Sequence, residues 1–328
     1  MQRTNASPTF TDLSLGELGG PRATAFFDRC LKEIPFQQLA DALADLFPEN
    51  RPAGGAPHWP LLTLVKILFL QKVFGLSDPL TEEMLRDRIS FRRFVGLSFE
   101  DKTPDHSTLS LFRKRLRDHG HGATLFERSL QSLRDKGLVL SNGTLIDASI
   151  LEAPLGGKRA DGSSSADPCA SKTAKGGRGY FGYRVHLATD RRGLITDYVY
   201  DTAQVSEQTH FDHLARNEAT VVYADSGGRS RERLEAFRAR GVTAALCHRR
   251  VKGQQELTAP QKRLNRLIAP IRAFVEHPFG WIKQRLNHRR VRYRGLARNA
   301  LDFALSAMAW NFCRSLTLQP ARAVALAA

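Results

Sequence analysis

Three acidic residues stand where carboxylates can do chemistry. Asp147 lies in the apolar run GTLIDASI, and Asp225 follows a second apolar run in TVVYADSGG, where a strand meets a glycine-containing turn. Acids at strand ends are a usual location for the functional groups of an α/β sheet, although aspartate there also commonly caps a turn or a helix. Glu276 is the only acid in residues 261–298, which hold eleven Lys and Arg residues. The three carboxylates are therefore candidates for one site.

Glu276 shares a predicted helix face with two cations. At about 100° per residue, Arg272, Glu276 and Lys283 stand at relative angles of about 0°, 40° and 20°. The spacing fits an ordinary i, i+4 Arg–Glu ion pair. Three carboxylates on regular elements of a basic chain also suggest a hard-cation site, because Mg²⁺ prefers a few carboxylates together with water and phosphate oxygens. Two such ions about 4 Å apart would activate a water or a 3′-hydroxyl and stabilise the leaving oxygen of a phosphodiester.

The charge balance favours a polyanionic partner. Among 328 residues, 49 Lys and Arg exceed 33 Asp and Glu, which gives a formal net charge of +16. Nucleic acid is the usual partner of such a chain, and a merely basic surface is the alternative. The longest apolar block, residues 61–74, contains Lys66, Gln71 and Lys72 and predicts no membrane span. The amino terminus lacks the apolar core of a signal peptide, and the four cysteines form no CxxC pair, so we expect a reduced, cytoplasmic protein.

Hydrophobic spacing predicts helices, then strands, then helices again. Residues 1–22 read as a flexible arm, residues 23–137 have helical spacing, and residues 318–328 read as a tail. TPDHSTLSLFRKRLRDHG predicts a helix that Ser107 or Thr108 can cap, and Asp105 and His106 are expected to begin this helix rather than to take part in chemistry. Helical spacing returns over residues 259–315, with a break expected at Pro270.

Four short β-branched and aromatic runs predict strands. They are NGTLIDASIL, GYFGYRVHLATD, GLITDYVYD and ATVVYADSG. Between the first two lies a segment rich in Gly, Ser and charge, within residues 152–178. It predicts a long variable loop, or an insertion that becomes ordered only when a ligand binds.

The ordered motifs resemble the DDE transposases of bacterial insertion sequences, specifically the insertion-sequence-five group of the insertion-sequence-four-like superfamily. The third-acid region of that superfamily reads Tyr-x2-Arg-x3-Glu-x6-Lys. Arg272, Glu276 and Lys283 match it, and Ala269 stands at the tyrosine position. The other matching stretches, in family order, are TPDHSTLSLFRKRL, LIDASILEAP, KGGRGYFGYRVHLATD, VYADSGG, VEHPFGWIKQR and VRYRGLARN.

The resemblance implies an α/β fold with a ribonuclease H-like mixed sheet flanked by helices, over residues 138–317. An all-helical DNA-binding region, residues 23–137, would precede it. Asp147 would lie on the first strand, Asp225 on the fourth, and Glu276 on the helix after the sheet. These three residues would be the catalytic ligands of Mg²⁺ or Mn²⁺, with two ions. The short stretch between Asp225 and Glu276 leaves little room for a large inserted β domain.

The implied reaction is cleavage of double-stranded DNA at the terminal inverted repeats of the element, followed by joining of the freed 3′ ends to target DNA. Pairing of two ends argues for a homodimer or larger assembly on DNA, in the bacterial cytoplasm at the nucleoid. A catalytically silent, domesticated relative that regulates transcription is the alternative, and a nuclease that cuts without joining is a third reading. The intact set of acids favours the transposase.

Several cations are candidates for DNA contact. Arg272 and Lys283 are expected near the scissile phosphate, as the family motif implies. A helix-turn-helix recognition helix is expected to carry Arg113, Lys114 and Arg117. The expected contacts of the variable loop and of the carboxyl-terminal basic cluster are Lys172, Lys175, Arg289, Arg290 and Arg292. For the carboxyl-terminal cluster, a solvated charged face is the alternative.

Overall fold

The computed structural model describes residues 21–47, 57–157, 167–215, 220–250, 254–286 and 289–319, with side chains from residue 25 onward. The chain forms two compact units, Met1–Ser132 with Ala304–Thr317, and Leu133–Phe303 with Leu318–Ala328. The arm predicted for residues 1–22 and the tail predicted for 318–328 lie almost wholly outside the described residues. Residues 304–317, which the sequence placed in the catalytic domain, pack in the first unit.

The first unit is helical, as the apolar spacing predicted. Its elements are α1 (Pro21–Glu33), α2 (Phe36–Asp41), a 3₁₀ turn (Ala44–Leu46), α3 (Leu61–Phe74), α4 (Asp78–Asp87), α5 (Ile89–Val95), α6 (His106–Asp118) and α7 (His121–Asp135). Phenylalanines dominate its core. Phe36 packs edge-on against Phe69 with ring centroids 5.3 Å apart, and Phe69 also meets Phe94 at 6.1 Å. Helix α3 is buried on nearly all sides, because it is apolar on nearly all sides.

Helix α6 begins two positions earlier than the earlier of its two predicted caps, Ser107, would allow. The cap is Asp105, whose Oδ1 accepts a hydrogen bond from the backbone N–H of Thr108 at 2.7 Å. The prediction of Ser107 or Thr108 as the cap is therefore wrong. Hydrogen bonds from the side chain and from the backbone N–H of Thr108 are the main reasons that the pKa of Asp105 is lowered, so this acid serves the helix.

The second unit is built on a six-stranded mixed sheet. Its strands are β1 (Thr144–Glu152), β2 (Ser171–Lys175), β3 (Arg178–Thr189), β4 (Ile195–Thr202), β5 (Val221–Ala224) and β6 (Thr243–Leu246). The order β2-β3-β1-β5-β6 is antiparallel through β1 and parallel from β1 to β6. Strand β4 also pairs with β3, along residues 183–189, beyond the stretch that β2 occupies.

Helices cover both faces of this sheet. The short α8 (Phe211–Leu214) and α9 (Arg231–Ala239) place Phe211 and Phe237 in one core cluster with Ile146 and Val222. The long α10 (Ala259–Gln284) contacts β1, β3 and β5 on the opposite face. Helix α11 (Leu296–Ser315) begins in this unit and ends in the first. The fold class is therefore α/β with a mixed sheet flanked by helices.

Two parts of the expected layout are corrected. The predicted loop 152–178 contains β2, joined to β3 by Gly176 and Gly177, whose φ values of 58° and 79° suit a two-residue hairpin turn. Its residues 158–166 lie outside the described part of the chain. The expected break at Pro270 is absent. A proline inside a helix lacks the N–H for one hydrogen bond and crowds the preceding turn, yet α10 continues through both Pro270 and Pro278. Within the described residues, no helix is long and apolar enough to cross a bilayer.

Candidate active site

Asp147 and Asp225 lie at the same level of two neighbouring parallel strands. The pairing of β1 with β5 matches Thr144 with Val222 and Leu145 with Tyr223. Each aspartate stands two residues beyond the second of these pairs, so both side chains point to the same face of the sheet. Neighbouring strands are about 4.8 Å apart, which brings the two carboxylates close together. Because β2 adds a strand, Asp225 follows the fifth strand rather than the expected fourth.

Asp225 also performs the capping role considered for it from the sequence. It precedes a 3₁₀ turn, Ser226–Gly228, and its Oδ1 accepts a hydrogen bond from the backbone N–H of Gly227 at 2.9 Å. A Cβ at residue 227 would lie 3.0 Å from that oxygen, so glycine allows the carboxylate to sit against the turn. The cap fixes the side chain and uses Oδ1, while Oδ2 keeps its lone pairs for a further ligand.

Burial raises the pKa of Asp147, and the negative charge of Asp225 raises it further. Three contributions oppose this shift. They are a hydrogen bond from the Ala148 backbone N–H at 2.9 Å and the positive charges of Arg272 and Lys175. Two carboxylates held close in a partly buried place repel each other, and a cation bound between them relieves that repulsion. This donor set fits a hard divalent cation.

Lys283 lies beside β1 through a contact that the sequence-based prediction did not include. Its Nζ donates a hydrogen bond to Oγ of Ser149 at 2.5 Å. Burial and the charge of Lys175 lower the pKa of Lys283, against the effect of Asp147 and Glu152. Ser149 is two residues beyond Asp147 on the same strand, so strand alternation alone puts both on one face. That spacing was the available signal for Ser149.

Arg272 brings a second cation from α10 to the same face. Its charge acts on Asp147. Within the described residues, its Nε is a buried donor that has no hydrogen-bond partner. A buried N–H without an acceptor is unfavourable by about 1–3 kcal/mol, so an oxygen ligand at this place would stabilise the arrangement.

Glu276 lies on α10, one turn after Arg272, and its side chain is exposed. Its neighbours Val275 and Phe279 are buried and hold the helix against the sheet. Among the residues that the structure describes, no three His, Cys, Asp or Glu side chains come close enough together to hold a metal ion. The two aspartates are therefore brought together, and the joining of Glu276 to them stays a prediction.

Further cations surround the carboxyl-terminal part of β1. Lys172 and Lys175 are exposed on β2, where Lys175 pairs with Glu207 at 3.1 Å. The exposed Arg289 and Arg290 lie beside Glu152, because the backbone N–H of Glu152 donates to the carbonyl of Arg289 at 3.0 Å. Arg292 is exposed as well, and one of its guanidinium N–H groups donates to the Leu286 carbonyl at 2.9 Å.

The cations predicted on α6 differ from one another. Arg113 is buried, pairs with Asp78 and donates to Oε1 of Gln71 at 3.1 Å. Its guanidinium is used inside the helical unit, so its prediction as a DNA contact is not supported. Arg117 pairs with its neighbour Asp118 at 2.6 Å and is half-buried. Lys114 is exposed and remains a candidate.

Asp167 organises the region around β3, although no motif marks it in the sequence. It is buried, and its Oδ2 accepts hydrogen bonds from the Tyr183 hydroxyl at 2.5 Å and from the Gly295 backbone N–H at 2.8 Å. Its Oδ1 accepts a third, from the Cys169 backbone N–H at 3.1 Å. The bond to Gly295 joins this residue to the segment that leads into α11.

Comparison with known protein families identifies the family to which the chain belongs. Residues 140–312 match the family described as the transposase DDE domain, and residues 21–115 match a second family described as a transposase domain. The first match spans more than half of the chain, which therefore belongs to the DDE transposase family. It is a DNA transposase of the type related to insertion sequences four and five. The two matches cover the sheet-bearing part and the helical part respectively.

Proposed function

We propose that this chain is the transposase of a bacterial insertion sequence of the insertion-sequence-five group. It cuts DNA at the terminal inverted repeats of its element and joins the freed 3′ ends to target DNA. The observation that carries this proposal is the placement of Asp147 on β1 and of Asp225 directly after the neighbouring parallel strand β5, each two residues beyond the pair Leu145 and Tyr223. The cations Arg272 and Lys283 accompany them on the same face, as a site for a phosphodiester requires.

A ribonuclease H-like core is part of the proposal. Three features support it. The antiparallel β3–β1 pair continues into the parallel strands β5 and β6, the first acid lies in β1, and a long helix follows the last strand. Little chain lies between Asp225 and α10 besides α9 and β6, so no large domain is inserted there. Glu276 is the third acid in this scheme.

The residues of the site have different roles at the scissile phosphate. Mg²⁺ or Mn²⁺, as two ions held by Asp147, Asp225 and Glu276, would supply Lewis acidity and an activated hydroxyl when bound. Arg272 donates its buried Nε–H to a non-bridging phosphate oxygen and so satisfies a group that has no partner among the described residues. Lys283, held by Ser149, adds positive charge where negative charge develops during in-line displacement.

DNA binding extends beyond these side chains. The exposed cations Lys172, Lys175, Arg289, Arg290 and Arg292 are proposed to contact backbone phosphates next to the cut. The helical unit is proposed to recognise the element ends through the exposed face of α6, where Lys114 lies. Joining two ends requires at least two copies of the chain on DNA.

The test uses the purified full-length protein and a duplex that carries the element end, read from the DNA flanking the gene. Binding and strand cutting are followed on gels, with Mg²⁺ or with a chelator. We expect the duplex to be shifted in both conditions, and to be nicked and joined to a second duplex only with Mg²⁺. A shift without nicking in Mg²⁺ or Mn²⁺ would identify a DNA-binding regulator, and nicking without joining would identify a nuclease.

A further inference from the structure

A basic cavity lies next to Asp225 in the second unit. Its volume is about 570 Å³, within the range of about 300–1,000 Å³ that is typical of ligand sites. Ser226, the residue after Asp225, lines it, and so does His248, two residues beyond the end of β6. The cavity therefore opens at the carboxyl ends of the parallel strands β5 and β6, where α/β sheets bind their ligands. We call it the β5–β6 pocket.

Cations from separate elements converge on this pocket. They are Arg229 after β5, Arg231 and Arg238 on α9, and Arg249 after β6. Glu235 is the single acid among the lining residues, and it pairs with Nε of Arg231 at 2.9 Å. Three of the four guanidinium groups therefore face the pocket with no lining carboxylate to neutralise them.

Two helix amino termini add to the positive potential. Ser230, the cap of α9, and Gln261, in the capping box of α10, both line the pocket. The first turn of α10 carries no acid. The positive ends of both helix dipoles therefore adjoin the same cavity. Arg229 is fixed at the edge of β6, because its Nη1 donates to the Leu246 carbonyl at 3.4 Å.

We propose that the β5–β6 pocket binds backbone phosphates of the DNA strand that continues beyond the scissile phosphate at Asp225. This inference rests on the proposed function for the identity of the polyanion. Ser226, the residue after Asp225, lines the pocket, so a strand that leaves the two aspartates on this side would enter the pocket. Guanidinium groups bind phosphate oxygens in pairs, and the pocket has room for a sugar-phosphate unit as well as the anion. The site would hold the strand in place before and after the cut.

The test measures the affinity for a linear, mixed-sequence duplex over a range of salt concentrations, without divalent metal. Each lost phosphate contact flattens the slope of log K against log[salt] by about 0.9. The double variant Arg238→Gln/Arg249→Gln should flatten it by between about one and two and weaken binding about tenfold or more at low salt. The matched control is the double variant Arg134→Gln/Arg191→Gln. It removes two exposed arginines outside the pocket, one at the end of α7 and one on the β3–β4 turn. This control should keep the wild-type slope.

Two further variants separate the proposal from a folding defect. Glu235→Gln removes the single lining acid, so it should tighten binding and steepen the slope, a change that misfolding does not produce. Arg238→Lys/Arg249→Lys keeps both charges and should keep the slope. Equal slopes for the pocket variant and the control variant, or an unchanged affinity in Glu235→Gln, would overturn the proposal.

The proposed function is judged separately, by Mg²⁺-dependent nicking with the wild-type protein. Wild-type nicking together with equal slopes would remove the pocket and leave the function. A flattened slope without any nicking would keep the pocket as a DNA contact and remove the function.

Discussion

The carboxylate of Asp147 is partly buried, and burial disfavours its charged form. The nearby Asp225 adds to this effect, while Arg272 and Lys175 oppose it. The carboxylates and the cations of the site therefore depend on one another. Each cation lowers the free energy of keeping a carboxylate charged in a partly buried place, and each carboxylate does the same for a cation. Ser149 adds a fixed acceptor for Lys283. The side chains thus form a charged set whose geometry is held by strand alternation and by one helix.

Asp167 is expected to contribute strongly to the stability of the region around β3. The Asp167→Ala variant removes the acceptor of the Tyr183 hydroxyl and of two backbone N–H groups. We expect it to lower the free energy of unfolding by about 3 kcal/mol, because buried donors are left without partners. Tyr183→Phe removes one of these bonds and should lower it by about 1 kcal/mol. Urea unfolding followed by circular dichroism measures both, and an equal effect of the two variants would contradict the assignment.

His186 is expected to make stability depend on pH. Burial lowers its pKa from the ordinary 6.5 to about 4, and the charges of His210 and Arg184 act in the same direction against Asp201. The folded protein therefore binds this proton less readily than the unfolded chain. The stability that His186 contributes is present above pH 6.5 and is lost as the pH falls through about 4, with a maximum loss of about 3 kcal/mol.

The His186→Leu variant tests this dependence, because leucine does not titrate. Denaturant unfolding at several pH values should show a smaller loss of stability between neutral and acidic pH in the variant than in the wild type. Parallel curves for the two proteins would show that His186 has no part in the pH dependence.

At the scale of elements, the pairing of β1 with β3 positions the site. Eight residue pairs join the two strands, and Asp147 lies opposite Leu187. Helix α10 then packs on the face to which Asp147 points, with Val275 and Ile282 fully buried. The acids are therefore positioned by a register and by a helix packing, and a shift in either would separate them.

The register depends on a glycine at the end of the pair. Gly182 lies opposite Glu152 with φ 155°, and a Cβ there would overlap the Leu151 carbonyl oxygen and approach the Ala153 nitrogen to 2.8 Å. We expect Gly182→Ala to lower the free energy of unfolding by more than about 3 kcal/mol, because backbone atoms must move. Gly179→Ala, on the same strand, meets nothing within 4 Å and should stay within about 0.5 kcal/mol of the wild type. Thermal unfolding of the two variants side by side is the check, and equal midpoints would show that the strand ends adjust freely.

Local patterns predicted most of these elements, and tertiary packing decided the rest. The apolar runs around Asp147 and Asp225 predicted β1 and β5, and the spacing of Arg272 with Lys283 predicted α10. Strand β2 was missed because its residues are polar, although Gly176 and Gly177 signalled a hairpin.

The sequence could not predict which charged side chains are buried and which are exposed. Arg113 has the same charge as its exposed neighbour Lys114, and only packing decides which of them reaches solvent. The β5–β6 pocket was missed for the same reason, since its arginines come from three separate segments. Asp167 lies near no motif, and its role depends on Tyr183 and Gly295 being brought to it.

On the scale of the whole molecule, the two compact units follow the two family matches. The helical unit covers the match over residues 21–115, and the sheet-bearing unit contains most of the match over residues 140–312. Helix α11 belongs to both units, and its second half completes the helical core, where Phe312 packs near Phe69 with ring centroids 6.5 Å apart. The net charge of +16 suits a protein whose substrate is a polyanion.

The central claim is that Asp147, Asp225 and Glu276 together catalyse metal-dependent cutting and joining of DNA. The most direct measurement is the rate of strand cleavage and joining on a duplex carrying the element end, with Mg²⁺, for Asp147→Asn, Asp225→Asn and Glu276→Gln. Asp201→Asn, on β4 of the same sheet, is the matched control. The three site variants should lose at least about 1,000-fold in rate, equivalent to about 4 kcal/mol of transition-state stabilisation, while their affinity for the duplex stays within a few-fold of the wild type. A site variant that cuts and joins at the rate of the control would contradict the account.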